Sequence, residues 1–252
     1  MATLPAGWKP AAARLAGRTV LIVGATGGLG RASALACAEA GATVVLLGRK
    51  VPALEKLYDE IEALGAPAPA IYPLNLEGAT PADYDELATT IARECGGLDG
   101  IVHAAAHFAG LQPLGQVKPE EWMRVLQVNL NGPFLLTQAL LPLLLQSPDA
   151  SIVFVEDDAA RVRKSFWGAY GVAKAAQAGL AAILHDETEN TSVRVASLLP
   201  PPMRTALRRM AYFGENTLDR PEPADFAAAV VYLLGRDGAA ARGDMLDLRS
   251  TH

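Results

Sequence analysis

Short, continuously apolar runs separated by longer stretches of helical periodicity set the rhythm of this chain from Thr19 onward. The runs at 19–23, 43–47, 69–74, 100–103, 151–155, 193–199 and 244–248 are too short for helices. Most lack polar alternation, so they read as parallel strands covered on both faces. Helices fill the gaps. Thr80 and Pro81 make an N-cap and first-turn pair for a helix that ends at Cys95, before Gly96 and Gly97. Others start at Lys118-Pro119 and occupy 130–146, 165–189 and 223–234. This alternation, with right-handed crossovers, predicts an α/β fold with a doubly wound, seven-stranded parallel sheet flanked by helices on both faces. Ligands on such sheets bind at the carboxyl ends of the strands, where the strand order reverses.

Composition adds limits. The 252 residues are 51% hydrophobic and no polar linker divides them, which fits one domain over 17–252. Residues 1–16, rich in Ala and Pro, read as a loose N-terminal arm with Trp8 as its docking residue. A net charge of -5 argues against nucleic acid as a partner. The longest apolar cluster contains Pro142 and falls well short of the ~20 residues of a membrane span, and no signal peptide is recognisable. A cytoplasmic location is therefore expected. Cys37 and Cys95 have no CxxC spacing and read as small core residues, and no metal site is expected.

The first strand runs straight into a glycine-rich turn, VLIVGATGGLG. Gly24, Gly28 and Gly30, with Thr26 and Leu29 between them, allow a tight turn and close approach of the backbone to a pyrophosphate at a helix N-terminus. The second strand ends in Gly48-Arg49-Lys50, without the acid that would bind a ribose 2′-hydroxyl. Arg49 instead suits a 2′-phosphate, with Arg31 or Lys50 in support, which points to NADP.

Tyr170 and Lys174 lie four positions apart, on one face of a predicted helix, and can do proton chemistry together. Together with the glycine turn and Val128-Asn129-Leu130, they resemble the short-chain dehydrogenase/reductase family over 16–248, in particular its YciK-like bacterial oxidoreductases. The resemblance implies a Rossmann-type nucleotide-binding fold and hydride transfer between nicotinamide and a carbonyl or alcohol. It implies Tyr170 as general acid, Lys174 as the charge that lowers the phenol's pKa and binds the ribose, and Asn129 as the holder of a linking water. It also implies cofactor contacts from Asn75 and Leu76, from Ala105, and from Pro200, with 203–220 as a substrate lid. Related proteins form dimers or tetramers through the helices at 130–146 and 165–189, so a homodimer or homotetramer is expected.

Several positions depart from the family pattern. Ala104-Ala105-Ala106 replaces Asn-Ala-Gly, and Pro200-Pro201-Pro202 replaces Pro-Gly. The family's catalytic serine lies about thirteen residues before the tyrosine, and here that position is Asp157, flanked by Glu156 and Asp158. An ionised carboxylate cannot donate a hydrogen bond to an oxyanion. Either crowding keeps Asp157 protonated, or it turns toward Arg161, Arg163 or Lys164. In the first case it donates as the serine does, and in the second the site lacks its second donor; weak or absent activity on ordinary ketones is expected, and a catalytically silent NADP(H) sensor or scaffold is the competing reading. On the substrate side, His103 reads as a core residue and His107 as a loop residue. Arg204, Arg208 and Arg209 form a basic helix face, and Met203, Met210, Tyr212 and Phe213 are candidates to line an apolar pocket.

Overall fold

The computed structural model describes residues 1–249. Its seven strands are β1 Thr19–Val23, β2 Thr43–Gly48, β3 Ala70–Pro73, β4 Gly100–His103, β5 Ala150–Val155, β6 Val193–Leu199 and β7 Met245–Asp247. They form one all-parallel sheet in the order β3-β2-β1-β4-β5-β6-β7. The sheet is the predicted one, with ends moved by a residue or two. Because β1 lies between β2 and β4, the connections leaving β1 and β4 diverge, and a crevice opens at their carboxyl ends.

Helices cover both faces. In chain order they are α1 Gly28–Glu39, α2 Val51–Ala63, α3 Pro81–Cys95, α4 Pro119–Leu126, α5 Gly132–Leu144, α6 Ala159–Val162, α7 Gly168–Thr188, α8 Ala206–Ala211 and α9 Ala227–Leu234. Successive β1 residues point to opposite sides, as a pleated strand requires. Val20 and Ile22 join the core made with α1, α2 and α9, while Leu21 and Val23 join the one made with α3, α5 and α7. That two-sided burial is why the strands carry no polar alternation.

Three helices differ from the sequence pattern. The helix at 130–146 starts instead at Gly132, continuous with α4 through a wide π turn at Gln127–Asn131. The helix at 165–189 starts later, at Gly168, because Phe166 has φ of 75°, in the left-handed region that breaks an α-helix. The short α6 before it was not expected; Asp158 caps it by accepting from the Ala160 N–H at 3.0 Å. The helix at 223–234 opens as a 3-10 turn, Pro223–Phe226, before α9.

The arm is docked rather than loose. Trp8 packs edge-on against Tyr232 at 5.2 Å between ring centroids and donates its indole N–H to Asp237 at 3.2 Å. Arg14 pairs with the same carboxylate, and Ala2 forms a parallel bridge with Leu246 beside β7.

His103 ends β4 and is a core residue, as its sequence context suggests. Its ring stacks on Phe154 at 4.7 Å, and Nε2 meets Thr137 Oγ1 at 2.9 Å. Burial, with Lys174's charge second, pushes its pKa down to about 3. The folded value lies below the unfolded one, so between about pH 3 and 6.5 the unfolded chain holds a proton that the folded chain refuses, and acid destabilises the fold. Going from pH 7 to pH 5 should therefore cost about 2 kcal/mol through this residue alone. Urea unfolding of wild type and His103→Phe at both pH values checks this: the acid-induced loss should be smaller in the variant by about that amount.

Candidate active site

The site is assembled at the carboxyl edge of the sheet by the segments that follow β1 to β6. After β1 the chain turns at Gly24, whose φ is 84° and whose added Cβ would lie 2.6 Å from Ala105 Cα. Only glycine fits there, so the backbones after β1 and β4 touch and narrow the crevice. A Cβ on Gly28 would come 2.9 Å from Thr205 Cγ2, and one on Gly30 would strike the Gly24 carbonyl. α1 then begins with no acid in its first turn and no side-chain cap, leaving its leading N–H groups directed at the crevice. A pyrophosphate fits this cradle.

A cleft of about 550 Å³ runs along this edge. Gly24, Thr26, Gly28 and Leu29 line it from the first turn, and Arg49 and Lys50 from the end of β2. Asn75 and Leu76 follow β3, Ala105 follows β4, and Pro200 follows β6. Asp157, Tyr170 and Lys174 complete the wall at the other end. Gly30 lies behind the wall and serves the packing of α1 on the turn. Asn129 is also behind it and is fully buried. Its amide donates to the carbonyls of His107 at 2.7 Å and Val125 at 2.9 Å, and its oxygen accepts from the His107 N–H at 2.9 Å. Asn129 therefore braces the π turn and pins the loop after β4 to it.

Arg49 is half exposed and pairs with Glu77 at 3.0 Å, which Arg124 also approaches at 3.6 Å. An acid absent from the end of β2 is thus supplied from the loop after β3. Arg31 is not part of this group: it pairs with Glu60 on α2. The Asn75 oxygen accepts from the Glu77 N–H at 3.3 Å and holds that loop in a turn.

At the other end, Tyr170 donates its hydroxyl proton to Asp157 Oδ2 at 2.9 Å, while Asp157 Oδ1 pairs with Arg161. Asp157 thus turns toward Arg161, as one sequence alternative had it, and toward Tyr170 as well. Arg163 and Lys164 do not take that pairing. Phe108 and Trp167 pack on the phenol at 5.3 and 5.8 Å, and the Arg161 guanidinium sits 5.2 Å from the Trp167 ring centre. Burial first, then the charge and hydrogen bond of Asp157, holds the phenol's pKa well above its usual value. That corrects the expectation of a pKa lowered by Lys174. A unit charge about 4 Å away at an effective dielectric near 20 is worth about 4 kcal/mol, so a carboxylate in direct hydrogen-bond contact acts strongly on the phenol.

Lys174 is buried and donates to the Val155 carbonyl and to Gln177 Oε1, both at 2.7 Å. Burial lowers its pKa, with Glu156 and Asp157 opposing. Glu156, also buried, has its pKa raised by burial against the pull of Lys174. Gln177 and the buried position of Glu156 were missed in the sequence; Gln177 sits three residues after Lys174 on the same helical face, which is the signal that would have found it.

The segment 203–220 reaches the cleft through Met203, Thr205, Ala206, Leu207 and Arg208. Met203 lines the wall, but Met210 and Phe213 are 53% and 95% exposed and point away. The three arginines do not form one basic face. Arg208 is buried against Glu215 at 2.5 Å with its guanidinium 3.7 Å over Tyr212, Arg204 pairs with Glu222, and Arg209 is exposed. Cys37 is a core residue, while Cys95 is only partly covered. No described helix is long and apolar enough to cross a membrane.

Comparison with known proteins converges on one family. The model of the short chain dehydrogenase family matches residues 18–214. The chain is 35% identical over 240 residues to the uncharacterized oxidoreductase YciK of Escherichia coli K12, covering 95% of both. A short chain dehydrogenase structure from Pseudomonas syringae superposes with a TM-score of 0.89 at 42% identity, over 95% of this chain and 99% of that one. Another, from Shigella flexneri 2a and complexed with NADP, does so with a TM-score of 0.87 at 35% identity, over 91% and 96%. The glycine cradle, the Tyr170/Lys174 pair and these matches together make the chain a member of the short chain dehydrogenase family of oxidoreductases.

Proposed function

We propose that the cleft binds NADP(H) and that the chain is an NADP(H)-dependent oxidoreductase in which Asp157 takes the place of the family's hydroxyl donor. The observation that carries the cofactor reading is the shape of the wall. An uncapped helix start, opening at Gly28, follows the Gly24 turn, neither Gly24 nor Gly30 has room for a Cβ, and Arg49 and Lys50 stand one strand away. The NADP complex of the Shigella flexneri relative supports it. Arg49, released from Glu77, would grip the 2′-phosphate, with Lys50 beside it. Leu76 and Asn75 would flank the adenine end, and Ala105 and Pro200 the path toward the nicotinamide. When bound in reduced form, the cofactor supplies a hydride to an electrophilic carbon of the substrate.

The chain's own residues would handle the proton. Tyr170 is the acid within reach of that carbon's heteroatom, and it stays neutral under the influence of Asp157. Lys174, tethered by Val155 and Gln177, would hold the cofactor's ribose. Asn129 would act as a positioning residue through His107 and the π turn. The segment 203–220 would close over the substrate. Phe134 on α5, Leu145 at its C-cap, and Val172 and Ile183 on α7 are 45–60% exposed, an apolar surface that supports pairing with a second copy. A silent NADP(H)-binding protein is the second reading, favoured by one observation: the catalytic phenol already gives its proton to a carboxylate.

Two experiments test these assignments. Arg49→Ala should weaken NADPH binding by about 10- to 100-fold in a fluorescence titration and leave NADH binding nearly unchanged, because only NADPH carries the 2′-phosphate. Asp157→Ser should raise the rate of ketone-dependent NADPH consumption by about 100-fold by restoring an oxyanion donor. No gain from that variant, with NADPH still bound, favours the silent protein.

A further inference from the structure

The polarity of the hydrogen bonds around Tyr170 selects a substrate class. Asp157 turns a hydrogen-bond acceptor toward the reacting end of the cleft, with one oxygen held by Arg161 and the other shared with the Tyr170 hydroxyl. Glu156 is a second carboxyl group in the same wall, next along the chain. Lys174, the nearest amine, spends two of its protons on Val155 and Gln177. No serine lines the cleft among the described residues; its threonines are Thr26, in the first turn, and Thr205, which caps α8 by accepting from the Arg208 N–H at 3.2 Å. A carbonyl reduced here would develop negative charge against the Asp157 carboxylate, an acceptor where an oxyanion needs a donor. A protonated C=N group has the opposite needs: its N–H requires an acceptor, and its positive charge is stabilised by a carboxylate.

We propose that this site acts on a cationic nitrogen, reducing iminium groups to amines, with Asp157 as the residue that receives the substrate N–H. The proposal rests on the NADP(H) reading above and narrows its substrate. In the reducing direction the iminium carbon gains a hydride from reduced nicotinamide and forms a C–H bond. The C=N π pair becomes the nitrogen lone pair, the positive charge leaves the nitrogen, and the nicotinamide is left oxidised. No proton is required of Tyr170 in that step, which suits a phenol bound to a carboxylate. Arg161, stacked near Trp167 and Tyr212, fixes the second Asp157 oxygen so that the first faces the substrate.

The test compares matched pairs, 3,4-dihydroisoquinoline with 1-tetralone and 1-pyrroline with cyclopentanone, and adds a binding measurement independent of turnover. NADPH affinity is first titrated by fluorescence for wild type, Asp157→Asn and Asp157→Ser. Calorimetry then measures binding of protonated 1,2,3,4-tetrahydroisoquinoline to each protein saturated with NADP+. Wild type should consume NADPH with the imines at least about tenfold more efficiently than with the matching ketones, and should bind the ammonium. Both variants should bind the ammonium about tenfold more weakly at unchanged NADPH affinity, and Asp157→Ser should shift preference toward the ketones. NADPH binding with a ketone preference in wild type, with no consumption of either imine, or with ammonium affinity unchanged in both variants overturns this proposal alone. Absence of NADPH binding to wild type overturns the cofactor reading and this proposal with it.

Discussion

One hydrogen bond orders this end of the cleft: the Tyr170 hydroxyl donating to Asp157 at 2.9 Å. It is made in a dry setting, with Phe108 and Trp167 against the phenol and Arg161 against the other carboxylate oxygen. Low local dielectric strengthens every charge there, so the Asp157 carboxylate weighs heavily on the phenol beside it. Lys174 cannot reverse that, because it is itself buried and committed to two acceptors.

The scaffold makes the bond unavoidable. β5 ends at Val155, and Glu156 continues its line, donating its N–H to the Leu198 carbonyl at 2.8 Å. Asp158 must then cap α6, which fixes Asp157 between a strand end and a helix start. The left-handed residues Phe166 and Gly168 turn the chain back so that α7 begins beside β5 and presents Tyr170 on its first turn. Arg249, just after β7, pairs with Asp158 at 3.0 Å and ties this loop to the far edge of the sheet. The glycine cradle is built by the same logic at the other end of the cleft, where Gly24 lets the backbones after β1 and β4 meet.

Much of this was legible in the sequence, and the limits have physical causes. Continuous apolar runs reveal two-sided burial, so all seven strands could be read to within a residue or two. Spacing places Tyr170, Lys174 and Asp157, since a periodic helix and a short loop leave little freedom. Contacts between distant segments have no such signature. Nothing in the sequence joins Arg49 to Glu77 across two strands, removes Arg31 to Glu60, or buries Arg208 against Glu215 while leaving Arg209 exposed. The π turn that engages Asn129 is equally silent, because a helix with one extra residue keeps the composition of an ordinary helix.

The central claim is that the carboxylate at position 157 controls the phenol at 170. NMR titration of protein labelled with 13C at the tyrosine ring carbon bearing oxygen, with the Tyr170 signal assigned by its loss in Tyr170→Phe, measures this directly. In wild type the Tyr170 signal should show no ionisation up to pH 10, and Asp157→Asn should bring its titration to lower pH. A Tyr170 signal that titrates well below pH 10 in wild type, or one that does not move in Asp157→Asn, would contradict the account.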